Sequence, residues 1–171
     1  VVVDTGAASA SLCGGIDISD LGAFMSEPGS DTARTALRIR RNVLEMQQSF
    51  DAMEALAVPV IAAVHGACVG AGVDMITACD IRWASADAAF VIKEVDIGLA
   101  ADVGTLARLP KAVGSASLVS ELAMTARPLR SAEALQCGFV SCVAPDRAQL
   151  LSRARELAAT IARKRPLAVA G

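Results

Sequence analysis

The chain has no excess of positive charge. Sixteen Lys and Arg face eighteen Asp and Glu, a formal net charge of −2. A protein that holds nucleic acid needs a cationic field, so that partner class is excluded as the main one, although single cations could still meet a small anion. The chain also lacks a long apolar run. Hydrophobic residues make up 54% of it, yet no stretch reaches the roughly 18 residues of a membrane span. The opening VVVDTG carries no basic segment ahead of its apolar residues, so it is expected to be a strand rather than a signal peptide. Cysteine is present in a form that excludes two other classes. Cys13, Cys68, Cys79, Cys137 and Cys142 are odd in number, contain no CxxC pair, and have a single histidine, His65, for company. Neither a disulfide framework nor a zinc site follows, and reduced, mostly buried thiols are expected. Internal repeats, low-complexity tracts and an interdomain linker are absent too.

What is there is enough apolar material, in 171 residues, for one sizeable core and a single domain. The start on a buried strand and the end at KRPLAVAG both suggest a piece of something longer. Short β-branched runs alternate with helical patterns. Val1 to Val3 stop at Asp4-Thr5-Gly6 as a buried parallel strand does. Asp31 or Thr32 can cap a helix over 33–56, whose Leu37, Val43, Leu44, Met46, Phe50, Met53 and Leu56 recur at helical spacing before Val58-Pro59. Strands are expected at 60–64, 81–84, 90–92 and 140–143, and helices at 73–78, 103–109, 116–124, 131–137 and 147–163. Alternation of this kind gives an α/β fold with largely parallel strands.

One segment stands out, GACVGAGVDMITACD, residues 66–80. Gly66, Gly70 and Gly72 crowd between a strand and a short apolar helix. Backbone N–H groups at such a turn face outward, and the helix start adds roughly half a positive charge, which makes an anion site. The spacing is neither GxGxxG nor GxxxxGK[ST], so the segment speaks poorly for a nucleotide. An oxyanion hole using the N–H of Ala71 is one alternative; close helix–strand packing is the other. A second pair, Gly14-Gly15 before Ile16-Asp17, also follows a strand. If the two loops lie on neighbouring strands, the amides of Ile16 and Ala71 converge on one oxygen. Losing one such preorganised donor typically costs ~3–4 kcal/mol of transition-state stabilisation.

Four separated segments, CGGIDI, PVIAAVHGACVGAGVDMITACDIRWAS, FVIKEVDIGLAADVGTLARLPKAVG and ARPLRSAEALQCGFVSCVAP, resemble the enoyl-CoA hydratase/isomerase (crotonase) superfamily in order and over nearly the whole chain. The last three resemble, more narrowly, its Δ3,5-Δ2,4-dienoyl-CoA isomerase branch. The resemblance implies a crotonase-type α/β fold, parallel strands alternating with helices and followed by a helical C-terminal part, as one domain over 1–171 truncated at both ends. It implies that the N–H groups of Ile16 and Ala71 hold a thioester oxygen, and that Asp74, Glu94 and Asp102 are the acids of the site. Ile16, Asp17 and Ile18 are implied as coenzyme A contacts, and a homotrimer or hexamer as the assembly. The compartment would be peroxisome or mitochondrion in a eukaryote and cytoplasm in a bacterium.

The implied reaction fits these residue types. Moving a 3,5-diene into 2,4-conjugation removes a proton from C2, holds a dienolate and returns a proton at C6, with no metal or redox cofactor; coenzyme A enters as part of the substrate. Asp102 is assigned as the C2 base, Glu94 as the C6 acid, and Asp74 as the group that tunes or orients them. Several carboxylates in an apolar pocket push at least one pKa upward. Each acid has a plainer alternative. Asp74 could be a buried cap, Glu94 a solvated surface charge, and Asp102 the N-cap of the next helix. Two other functions remain open, an enoyl-CoA hydratase of the same fold and a non-catalytic coenzyme A binder. His65 is expected to be structural, Arg34 to Arg41 a solvated helix face, Arg82 the partner of Asp80 in an ion pair, and Lys93 at most a neighbour of a phosphate.

Overall fold

The computed structural model describes residues 1–4, 9–17, 19 and 31–169. Its framework is a four-stranded sheet in the order β1 (Val2–Val3), β2 (Ile61–Val64), β4 (Ile81–Ser85), β7 (Cys142–Ala144), with every pair parallel. A smaller sheet contains β3 (Ala67–Val69), β5 (Ala89–Val91) and β6 (Leu129–Arg130); β3 and β5 run parallel, β5 and β6 antiparallel. Helices α1 (Thr32–Glu54), α2 (Ala71–Thr77), α3 (Thr105–Val113), α4 (Ala116–Thr125), α5 (Ser131–Gln136), α6 (Arg147–Ala162) and α7 (Pro166–Val169) join and cover the strands. The expected α/β architecture and helical C-terminal part are present.

β2 explains why an unbroken apolar run is needed in the centre. Its side chains alternate, and both faces are covered. Ala62 and Val64 face a large core with Val73, Ile76, Leu109 and Phe139. Ile61 and Ala63 face a second cluster with Ala144, Leu150 and Ala154, two of them from α6. Within the large core the rings of Phe90 and Phe139 meet edge to face, centroids 5.1 Å apart at 83°.

The boundaries depart from expectation where tertiary contacts outweigh local signals. α3 was expected to stop before Pro110 but runs to Val113. The proline ring lies on the exposed side, while Leu109 and Val113 are buried one turn apart, so continuing the helix hides a second apolar side chain. α2 begins at Ala71, two residues before expectation. β3 and β6 carry no sequence signal of their own, being two or three residues long and defined by pairing with segments distant in sequence.

Two polar expectations differ in outcome. Arg82 does not pair with Asp80. Its Nε donates to the carbonyl of Phe139 at 2.9 Å and its Nη1 to that of Cys79 at 2.6 Å, while Asp80 accepts the amide of Val60 at 2.7 Å. Main-chain carbonyls at the sheet end need donors, and the guanidinium supplies two at once. His65 is structural as expected: its Nε2 meets the carbonyl of Ser9 at 3.2 Å and its Nδ1 lies 3.3 Å from Asp4.

Replacing Phe139 by alanine should cost about 3–5 kcal/mol, because a fully buried ring and its partner contact are both lost. Urea unfolding of the two forms checks this. A loss under about 1 kcal/mol would mean that the site collapses around the smaller side chain.

Candidate active site

The site begins at Gly70, where β3 turns into α2. Its φ of 51° and ψ of −117° are open to glycine alone. Gly70 donates its N–H to Val91 at 2.9 Å and accepts from Val73 and Asp74 at 2.7 and 3.2 Å, which starts the helix. A Cβ there would sit 3.1 Å from Glu94 Oε1 and 4.0 Å from Gly15 Cα. The second glycine loop and one predicted acid therefore both close on this residue. Gly72 has a different task. A Cβ on it would lie 2.8 Å from Cys13 Cβ, so its absence lets the first loop press against α2.

The two loops run side by side. Cys13 forms a parallel bridge with Cys68, donating to the carbonyl of Ala67 at 3.2 Å and accepting from Val69 at 3.0 Å. Two residues further on, Gly15 lies beside Gly70, its Cα 4.0 Å from where a Cβ on Gly70 would be. Ala71 is the first residue of α2, a position whose N–H has no acceptor within its own helix. Ile16 is 42% exposed. Asp17 is exposed and accepts from the amide and hydroxyl of Ser19 at 2.9 and 2.7 Å. Ile18 lies outside the described residues.

The three acids occupy unlike surroundings. Asp74 is 2% exposed and accepts the amide of Thr105 at 2.6 Å. It is therefore a buried cap for α3, the plainer role foreseen for it and one compatible with orienting its neighbours. The alternative in which Asp102 caps that helix fails, since the N-cap position is Gly104 and the helix amide goes to Asp74. Burial raises the pKa of Asp74; the Thr105 bonds oppose that rise, and the charge of Asp102 adds to it. Glu94 opens a short 3-10 turn, Glu94–Ile97. It is half-buried, and its Oε2 has no hydrogen-bond partner among the described residues. Burial is the first cause of its raised pKa, and the charges of Asp74 and Asp102 push the same way. Asp102 lies exposed in the turn before α3, close enough for its charge to act on both other acids.

Glu94 also borders a cavity of about 440 Å³ whose other walls include Leu99, Ala101, Leu106 and Met124. A carboxyl at the edge of an apolar hollow, beside two adjoining glycine loops, can exchange a proton with an apolar chain while backbone donors hold a nearby oxygen. Lys93 is engaged with Asp96 on the surface. Two residues that the sequence did not single out also reach this region. Gln47 binds the main-chain carbonyl of Asp102 at 2.7 Å, and Arg108 lies against Gly104 while it bridges to Asp51 and Glu54 of α1. No local pattern marks either one, because their partners lie more than fifty positions away.

The enoyl-CoA hydratase/isomerase family model matches residues 1–171. The chain belongs to that family. A Homo sapiens relative named Delta(3,5)-Delta(2,4)-dienoyl-CoA isomerase, mitochondrial, is 52% identical over 156 residues, covering 91% of this chain and 48% of the human protein. An Arabidopsis thaliana relative with the same activity name, peroxisomal, is 47% identical over 162 residues, covering 94% and 58%. Among solved structures, a Thermobifida fusca protein in complex with CoA superposes with a TM-score of 0.85 at 29% identity, covering 99% of this chain and 63% of that one. This family member spans about half the length of the curated mammalian relatives it matches.

A carboxyl whose proton is held more tightly in the folded than in the unfolded chain adds stability below its unfolded pKa, and that stability is lost as pH rises through the raised folded pKa. Glu94→Gln is therefore expected to raise the melting temperature at about pH 8, with the gain disappearing toward about pH 4. Calorimetry across that range checks it; a difference that does not change with pH would contradict the buried, charge-crowded setting of Glu94.

Proposed function

We propose that the protein isomerises a 3,5-dienoyl-CoA thioester to its 2,4-dienoyl isomer. The observation that carries this reading is Glu94, a carboxyl with a raised pKa and an oxygen without a hydrogen-bond partner among the described residues, lying against Gly70 where the two glycine loops adjoin. Identity of about half to relatives named dienoyl-CoA isomerase supports the same activity.

In the proposed reaction the thioester oxygen accepts from the amides of Ile16 and Ala71. Asp102 takes a proton from C2. The electron pair of that C–H bond spreads through C4 and C6 and onto the oxygen, giving an extended dienolate that the two amides stabilise. Glu94, protonated at the start because burial and neighbouring charge favour its neutral form, gives its proton to C6. The double bonds then lie at C2–C3 and C4–C5, Asp102 holds a proton, Glu94 is ionised, and exchange with solvent restores both. Asp74 orients the Asp102 turn by holding the amide of Thr105. Coenzyme A lies along Ile16 and Asp17. This route asks for no metal or redox cofactor. The proposal extends to a homotrimer or hexamer, and to β-oxidation in the peroxisome or mitochondrion of a eukaryote or the cytoplasm of a bacterium.

The test is a 3,5-dienoyl-CoA offered to the protein while the absorbance of the conjugated product is followed. Asp102→Asn and Glu94→Gln should each lower turnover ~10²-fold or more. Efficient hydration of crotonyl-CoA without a diene signal would make the protein a hydratase, and binding of the thioester without turnover would make it a coenzyme A binder.

A further inference from the structure

The turn that carries Asp102 is fastened at its two ends. On one side Leu99 donates to Glu94 at 2.9 Å; on the other, Leu106 donates to Ala101 at 3.1 Å and Thr105 to Asp74 at 2.6 Å. Between these points stands one long-range bond, from Gln47 Nε2 to the main-chain oxygen of Asp102, at 2.7 Å. Its donor sits on α1, a 23-residue helix with no buried residue. That helix is fixed to α3 by Arg108, which reaches both Asp51 and Glu54 one and two turns beyond Gln47. A hollow of about 250 Å³ lies between the two helices, lined by Gln47, Asp51, Glu54, Asp102, Gly104 and Arg108.

We propose that Gln47 is a positioning residue for Asp102. By holding the carbonyl of the residue that bears the carboxylate, it sets the height and direction from which that carboxylate leaves the turn. Arg108 makes the arrangement stiff, because it locks the helix carrying Gln47 to the helix that follows Asp102. An exposed carboxylate on a turn held only at its ends would sample several directions, and proton transfer from carbon is sensitive to displacements near 1 Å. The inference rests on the base role proposed for Asp102 and adds to it a residue from a different element.

Gln47→Met keeps the size and apolar stem of the side chain and removes the donor; Gln47→Ala removes both. Each is expected to lower kcat for the 3,5-dienoyl-CoA by about tenfold, with KM nearly unchanged, and to slow exchange of the C2 proton with deuterated water in parallel. In an Asp102→Asn background, adding Gln47→Met should have no further effect on the rate, since the group being positioned is already gone. Wild-type kcat in Gln47→Met, or a loss that multiplies with that of Asp102→Asn, would overturn the proposal. So would a loss accompanied by a lowered melting temperature and a raised KM, which is the mark of a merely structural tie. Failure of the underlying reading looks different: Asp102→Asn itself would then turn over at the wild-type rate, and the base role and the positioning role would both fall.

Discussion

A carboxylate almost closed off from water holds the first amide of a helix thirty-one positions away, and much of the site is arranged around that bond. Asp74 is 2% exposed. An acid so placed is costly unless it accepts hydrogen bonds, and the amide of Thr105 supplies a strong one at 2.6 Å. The bond fixes where α3 starts, and thereby where the turn with Asp102 ends. Asp74 itself belongs to the first turn of α2, whose N-cap is Gly70. One side chain thus ties the glycine turn to the segment bearing another acid.

The same corner concentrates negative charge where burial already disfavours it. Asp74 and Glu94 both have raised pKa values, with loss of solvent the leading cause and the other acids adding to it. A fold selected for stability alone would have little reason to withdraw two acids from solvent within range of a third charge, one of them at the edge of an apolar hollow. Sites that move protons do have a reason, since like charges in a dry setting separate the acids into one that keeps its proton and one that does not. The positive φ of Gly70 belongs to the same pattern, because glycine takes it freely and leaves room for Glu94, whose Oε1 would lie only 3.1 Å from a Cβ there.

α1 shows how a surface helix can be part of such a site without being part of the core. Leu37 and Leu44 remain exposed and Met53 packs against the large cluster, so its apolar spacing gave the helix but says little about how the helix is attached. Besides Met53, its attachment is polar, through Gln47, Asp51 and Glu54. Residues of that kind are ordinary solvated side chains in a linear reading; the partner that gives them a role is chosen by how α1 and α3 cross.

The sequence by itself determined the alternation of strands and helices, the apolar centre of β2, the glycine turn between β3 and α2, and the family, because these depend on local pattern and on residues quoted in order. It also named the three acids. Tertiary structure alone decided what each acid does next: that Asp74 rather than Asp102 caps α3, that Arg82 serves carbonyls instead of Asp80, that three-residue segments such as Ala67–Val69 become strands, and that Gln47 reaches Asp102. The physical reason is common to all four. A hydrogen-bonding group takes the partner that burial and chain crossing bring within about 3 Å, and that choice is made between segments far apart in sequence, where no periodicity or spacing can register it.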